Sequence, residues 1–180
     1  FAREFIFQIP ELLKTEKNPK PTASMVTNGY LLMFGPEHAA EQYKALENHK
    51  ACEAGTKNIK GSELTKFFPY INCDGIETAT FTDNKSEGWI DPFMFHSALK
   101  SKAAELGAEF VKGEVKSLSE IKAKTIISAA GCWTKELLED IPVEPQKHTV
   151  FRVKCPKHIP EMPLTGDLTT GVYWRPEGKE

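Results

Sequence analysis

Glycines at the spacing that binds dinucleotides are missing from this chain. Its twelve glycines include no Gly-x-Gly pair, and without closely spaced glycines no turn within it can bring backbone amides onto a pyrophosphate, which excludes a dinucleotide fingerprint and a P-loop. There is no Gly-x-Ser-x-Gly elbow and no His-Glu-x-x-His pair, so the usual apparatus of serine hydrolases and zinc peptidases is absent. Cysteine is scarce. Cys52, Cys73, Cys132 and Cys155 lie far apart, without the close pairs of structural zinc sites or redox dithiols, and read as free thiols in a reducing compartment. No apolar run approaches bilayer length and no charged-then-apolar leader opens the chain, so no membrane span is expected. Cationic clustering is lacking too: 23 Lys and Arg stand against 25 Asp and Glu, and the lysines are scattered. No nucleic-acid surface is expected.

What is present suits one domain or two small ones. The chain opens on phenylalanine and closes on Glu177-Gly178-Lys179-Glu180 without a capping element, and is read as an excerpt of something longer. Phe1, Phe5 and Ile9 suit one helical face, and Pro10 to Pro21, with three prolines, ends as a surface connection. Asn28-Gly29 turns into Tyr30 to Phe34, an apolar run that reads as a buried strand. Pro36 opens a helix through Glu53, with Gly55 placed to end it in a left-handed cap. His38 and His49 on this helix are expected to be solvated, not metal ligands. Ser62 is placed to cap a short helix stopped by Pro69, Ile76 to Phe81 alternates like a half-exposed strand, and Thr82 to Glu87 is a polar loop.

The next unit is sharply punctuated. Gly88-Trp89-Ile90 reads as a brief strand, Asp91 as an N-cap, Pro92 as the first helical residue and Gly107 as the terminator, with Phe95, Leu99, Ala103 and Leu106 on one face as if packed on a sheet. Ala108 to Val115 then reads as a strand, and Thr125 to Ala129 as another in the same sheet. That second run ends in Ser128-Ala129-Ala130-Gly131 and passes into a helix from Trp133 to Asp140. Side chains this small let a ligand or another backbone approach the strand end, and they equally suit a tight strand-to-helix turn with no ligand. Trp133 can likewise serve a ligand or simply pack on Leu137. After Pro142 to Lys147, His148 to Lys154 alternates like an antiparallel strand, Pro156 to Pro163 is loop, and Gly171 to Pro176 reads as the end of another strand. The order is α/β, mixed with an antiparallel second part.

An ordered combination of motifs carries more than any one of them. Gly29-Tyr30-Leu31-Leu32 precedes a helix, Phe68-Pro69 precedes a glycine-containing strand, and Glu87 to Pro92 leads into the helix that ends Leu106-Gly107-Ala108. Ala129-Ala130-Gly131-Cys132-Trp133 and Pro142-Val143-Glu144-Pro145 follow. In that order, over residues 25–176, the chain resembles the D-amino-acid oxidase superfamily of FAD-dependent oxidoreductases. Asn28 to Leu32, Glu87 to Pro92 and Pro142 to Lys147 are most similar to the branch of it associated with building mitochondrial respiratory complex I.

The resemblance implies FAD as cofactor and a two-lobed flavoprotein, partial here: a Rossmann-like FAD lobe and an antiparallel substrate-lobe sheet. Residues 1–87 would begin the substrate lobe, 88–141 belong to the FAD lobe, and 142–180 return to the substrate-lobe sheet. The family's glycine-rich cofactor segments would lie before residue 1 and after residue 180, so the chain by itself is expected not to hold FAD tightly. Ala129, Ala130, Gly131 and Trp133 fall on the family's stretch beside the flavin, and Val115 on the strand end that passes the adenine. Relatives usually place a β-meander between those two strands, where this chain has only Lys116 to Lys124. Tyr173 and Arg175 fall on a strand that faces the substrate cavity. The implied reaction moves a hydride to flavin N5 from the carbon beside an amine or amino-acid nitrogen, and the imine then hydrolyses. No protein acid or base is obligatory. Arg175 and Arg152 are the candidates to clamp a substrate carboxylate, and a surface ion pair would account for either arginine as well. The resemblance also implies a mitochondrial location. Its alternative to turnover is a flavoprotein-fold assembly factor, with complex I assembly partners and little or no catalysis.

Overall fold

In the computed structural model, residues 2–82, 85 and 87–177 are described. Phe1, Asp83, Asn84, Ser86 and 178–180, which enter the helical face, the polar loop and the closing segment above, lie outside them. Two compact units are present, one formed by residues 1–108 with 155–180 and the other by 109–154.

In the first unit, among the described residues, five strands make one mixed sheet in the order β2-β3-β1-β4-β5. β1 (Tyr30–Phe34) runs antiparallel to β3 (Thr78–Thr82), which in turn pairs antiparallel with β2 (Thr56–Lys60). On its other side β1 runs parallel to β4 (Leu164–Asp167), and β5 (Val172–Trp174) closes the sheet as β4's antiparallel neighbour. Alternation sorts the side chains by face. Leu31, Met33, Ile59 and Ala79 point to one side, where Leu64, Phe68 and Ile71 complete the main apolar core. Thr78, Thr80 and Thr82 are buried on the other side. Their hydroxyls find polar partners there: Thr78 Oγ1 donates to Asn58 Oδ1 at 2.7 Å, and the Thr56 and Thr82 hydroxyls meet at 3.2 Å.

α1 (Ala2–Leu12) runs through Pro10, and its Ile9 is fully buried. α2 (Pro36–Ala51) lies against β1 and β2, with Pro36 at its first turn as expected. Its left-handed closure falls earlier than Gly55: Glu53 takes φ 52, and the helix is already over. α3 (Leu64–Phe67) continues from a 3-10 turn at Gly61–Glu63, and Ser62 lies within that turn instead of capping it. α4 (Pro92–Glu105) starts as the sequence requires, with the Asp91 carboxylate accepting from the Met94 amide at 2.8 Å. Its packing differs from the expected sheet-facing stripe. The buried position is Ala98, while Leu99 and Leu106 are exposed. Ala98 and Phe95 pack with Ile9, Leu13 and Phe5 of the α1 region, the Phe5 and Phe95 rings meeting edge-on at 6.4 Å. Of the brief strand at Gly88 to Ile90, a single bridge between Val26 and Trp89 forms.

The second unit corrects three expectations. Ala108 to Val115, Thr125 to Ala129 and His148 to Lys154 are not strands, and no sheet joins the first two. Their β-branched residues fit a pleated surface only when a neighbouring ladder and a covered face are supplied. Neither is present: Val111 and Ile127 are 89% and 87% exposed. A 3-10 turn at Gly131–Trp133 and α5 (Thr134–Leu137) fulfil the first half of the helix expected after the small-residue run.

Candidate functional site

The second unit holds a cleft of about 470 Å³, within the size range of small-molecule sites. Leu118, Ile121, Ile126, Ile127 and Leu137 give it apolar walls, and Val115, Ala129, Ala130 and Trp133 share its lining. The family resemblance implies those last four for the cofactor, and the structure brings them together. Gly131 stands just outside the lining. It takes φ +59, which suits glycine, and a Cβ there would meet nothing within 4 Å. Small side chains at Ala129 and Ala130, followed by the tight turn through Gly131, bring Trp133 back to the same space as Val115.

The polar part of the lining was not anticipated. Glu114, Ser128 and Glu136 face the cleft, and among the described residues no lysine, arginine or histidine does. The Ser128 hydroxyl is shielded from solvent and has no hydrogen-bond partner, a state that costs roughly 1–3 kcal/mol unless a ligand or water supplies one. Ser128 could have been noticed as the one hydroxyl closing an apolar run. Glu114 is adjacent to Val115, and Glu136 sits one turn beyond Trp133.

Tyr173 and Arg175 belong to the first unit. Tyr173 is exposed on β5. Arg175 is held on two sides: its guanidinium lies 5.5 Å from the centre of the Trp89 ring and 2.8 Å from the Glu177 carboxylate. Stacking and an ion pair both hold the fork in place. Arg152 is exposed, within the segment that was expected to be a strand. The four cysteines are free thiols, and among the described residues no group of His, Cys, Asp and Glu could hold a metal ion. Among them, too, no helix is long and apolar enough to cross a membrane.

Comparison with known proteins gives the class of protein to which this fold belongs. The chain belongs to the family of FAD dependent oxidoreductases (DAO), whose model matches residues 2–180; FAD is that family's cofactor. A Bos taurus protein named FAD-dependent oxidoreductase domain-containing protein 1 is 26% identical over 227 residues, covering 99% of this chain and 46% of its own length. Relatives of this name are the ones that the ordered motifs resemble. The chain thus spans a little under half the length of such relatives. Because the match runs over 227 residues and the chain has 180, part of the relative has no counterpart here. Rattus norvegicus dimethylglycine dehydrogenase, a mitochondrial protein, is 27% identical over 165 residues, covering 78% of this chain and 17% of its own. The crystal structure of L-proline dehydrogenase from P. horikoshii shares the fold, with a TM-score of 0.66 at 18% identity over 99% of this chain and 51% of that one.

The cleft fits one portion of FAD and not another. Apolar walls suit a ring system, and the Ser128 hydroxyl with two carboxylates suits a hydroxylated chain, to which carboxylates accept hydrogen bonds. Two acids without a cation would repel a pyrophosphate. The absence of Gly-x-Gly leads to the same division.

Proposed function

We propose that the whole protein oxidises a small amine or amino acid at the carbon beside nitrogen, and that the second-unit cleft holds an uncharged part of its FAD. The observation that carries this reading is the convergence of Val115, Ala129, Ala130 and Trp133 on one cleft with an unpartnered Ser128 hydroxyl. FAD, when bound, supplies the hydride acceptor. Val115, the two alanines and Trp133 would position its rings and keep water off them. Ser128 would give or take a hydrogen bond, with Gly131 turning the backbone out of the way. In the first unit, Arg175 would bind the substrate carboxylate, the Glu177 carboxylate standing where the substrate's would lie, and Tyr173 would line the same cavity. The named reactions of the relatives, dimethylglycine and proline dehydrogenation, support amines as the substrate class. The printed location of the first supports a mitochondrial one.

A second reading is a flavoprotein-fold assembly factor for mitochondrial respiratory complex I, with little or no turnover. It is favoured by one contrast: the relatives that match almost the whole chain carry a domain name without a reaction, whereas dimethylglycine dehydrogenase matches less of it. A flavin spectrum of the whole protein, taken anaerobically with sarcosine, dimethylglycine or proline, separates the two. Bleaching of the long-wavelength flavin band supports oxidation. A bound flavin that no amine reduces removes the enzymatic reading.

A further inference from the structure

Trp89 stands on backbone that is tied down on both sides. Its amide donates to the Val26 carbonyl at 3.0 Å and its carbonyl accepts from the Val26 amide at 2.9 Å, while the Gly29 amide donates to Glu87 at 3.2 Å and the Asp91 amide to Ala23 at 2.8 Å. Gly88 permits this approach, since a Cβ there would run into the Val26 carbonyl. Arg175 directly follows β5, and its guanidinium lies 5.5 Å from the centre of the Trp89 ring. A stacked guanidinium presents its face to the ring and keeps its N–H groups in its own plane, where they reach acceptors. Nη2 meets the Glu177 carboxylate at 2.8 Å, and Nη1 donates to the Pro176 carbonyl at 3.5 Å. A carboxylate taken by both nitrogens must therefore displace Glu177.

We propose that Trp89 is a positioning residue for the carboxylate clamp and that Glu177 is its built-in competitor, so that an amine enters only when its carboxylate takes the fork from the chain's own acid. The proposal rests on the reading of Arg175 given above. Displacement exchanges one ion pair for another and forms no covalent bond. The pair of Arg175 with Glu177 is partly exposed and therefore weak, whereas a ligand that bonds both nitrogens gains the stronger bidentate geometry. An amine without a carboxylate leaves the pair closed. Because the ring holds the fork for either carboxylate, its effect on a ligand is partly hidden while Glu177 competes, and shows in full once Glu177 is removed.

The test titrates the whole protein with acetate by calorimetry, with ethylamine as the control. Glu177→Gln should tighten acetate about two- to fivefold and leave ethylamine unchanged, and the gain should vanish when Arg175→Gln is also present. Adding Trp89→Leu to Glu177→Gln should weaken acetate about three- to tenfold, with Trp89→Phe restoring most of it. Glu177 is 61% exposed, so its arm of the test does not depend on whether Trp89→Leu folds. No gain from Glu177→Gln, or a gain that persists with Arg175→Gln and so reflects overall charge, overturns the proposal while the clamp stands. Trp89→Leu without effect overturns the role of the ring. Acetate binding that ignores Arg175→Gln, or no acetate binding, removes the clamp and the proposal with it. No readout needs turnover, so the outcome is separate from whether the protein oxidises amines.

Discussion

Replacing Glu53 by glycine should stabilise the chain, and replacing Gly107 by alanine should destabilise it by a similar amount. Both residues follow a helix that ends in the same pattern of hydrogen bonds. At α2 the Glu53 amide donates to the Lys50 carbonyl at 3.1 Å and the Ala54 amide to His49 at 2.9 Å. At α4 the Gly107 amide donates to Ala104 at 3.1 Å and the Ala108 amide to Ala103 at 2.9 Å. This closure needs a left-handed residue, and the two helices supply it differently, glutamate at φ 52 and glycine at φ 95. A residue with a Cβ costs roughly 1–2 kcal/mol in that conformation. Glycine returns about 0.5–1 kcal/mol of that through its freer unfolded chain. The difference is about 0.5–1 kcal/mol in favour of Glu53→Gly, and removing an acid from a helix C-terminus adds a few tenths. Glu53 is exposed, so little packing is lost. A Cβ at Gly107 meets nothing within 4 Å, so the cost of Gly107→Ala is conformational and carries the opposite sign. Urea unfolding followed by circular dichroism measures both, and on heating the midpoints should move apart by about 2–4 °C per kcal/mol. If Glu53→Gly is neutral or harmful while Gly107→Ala is tolerated, left-handed strain at these closures is not what limits the helices.

Gly61→Ala and Gly88→Ala should each cost about 1–3 kcal/mol, because a methyl would run into the Ile76 carbonyl at the first and the Val26 carbonyl at the second; the same urea titration reports it. Asp167 gives a pH dependence. Burial alone would raise its carboxyl, but hydrogen bonds from Thr170 and Thr169 outweigh it and hold it below its ordinary value of 3.8. With the folded value depressed, its contribution is complete above the unfolded value and is lost as pH falls from there through the folded one. Midpoints measured on acidification should therefore fall more for the parent chain than for Asp167→Asn. In the whole protein, Arg175→Gln should raise KM for a carboxylate-bearing amine by about tenfold or more with a smaller effect on an amine lacking the carboxylate; an equal effect on both rejects the clamp.

The parts of the fold that were legible in the sequence are those whose ends are marked locally. Asn28-Gly29 and Gly35-Pro36 bracket β1, and Asp91-Pro92 and Gly107 bracket α4. β4 was invisible because Leu164-Thr165-Gly166-Asp167 has little strand character, and it exists through parallel pairing with a β1 remote in sequence. Thr56 to Lys60 drew no assignment from its sequence yet becomes β2, because β3 supplies a ladder and Ile59 reaches the core. The reverse holds for Thr125 to Ala129, whose isoleucines find no ladder. The face of α4 was misjudged because α1, not the sheet, is its partner, and the small Ala98 is what lets them approach. At the site, the resemblance supplied Val115, Ala129, Ala130 and Trp133. Glu114 and Glu136 were missed, since two separate acids have no spacing that marks them before the chain turns back at Gly131, and Ser128 was missed because it was read only as one of a run of small side chains.

The most direct measurement titrates the chain with riboflavin while following tryptophan emission, in the parent, in Trp133→Phe and in Ala130→Trp. Riboflavin carries the rings and the hydroxylated chain but no phosphate, and Trp133 lines the proposed cleft. Saturable quenching is predicted in the parent, with most of it missing in Trp133→Phe. Binding should be lost in Ala130→Trp, where the indole fills the space, and inorganic pyrophosphate should not compete. Quenching that persists in Trp133→Phe, binding that survives Ala130→Trp, or a parent chain that does not respond would contradict a flavin site in this cleft.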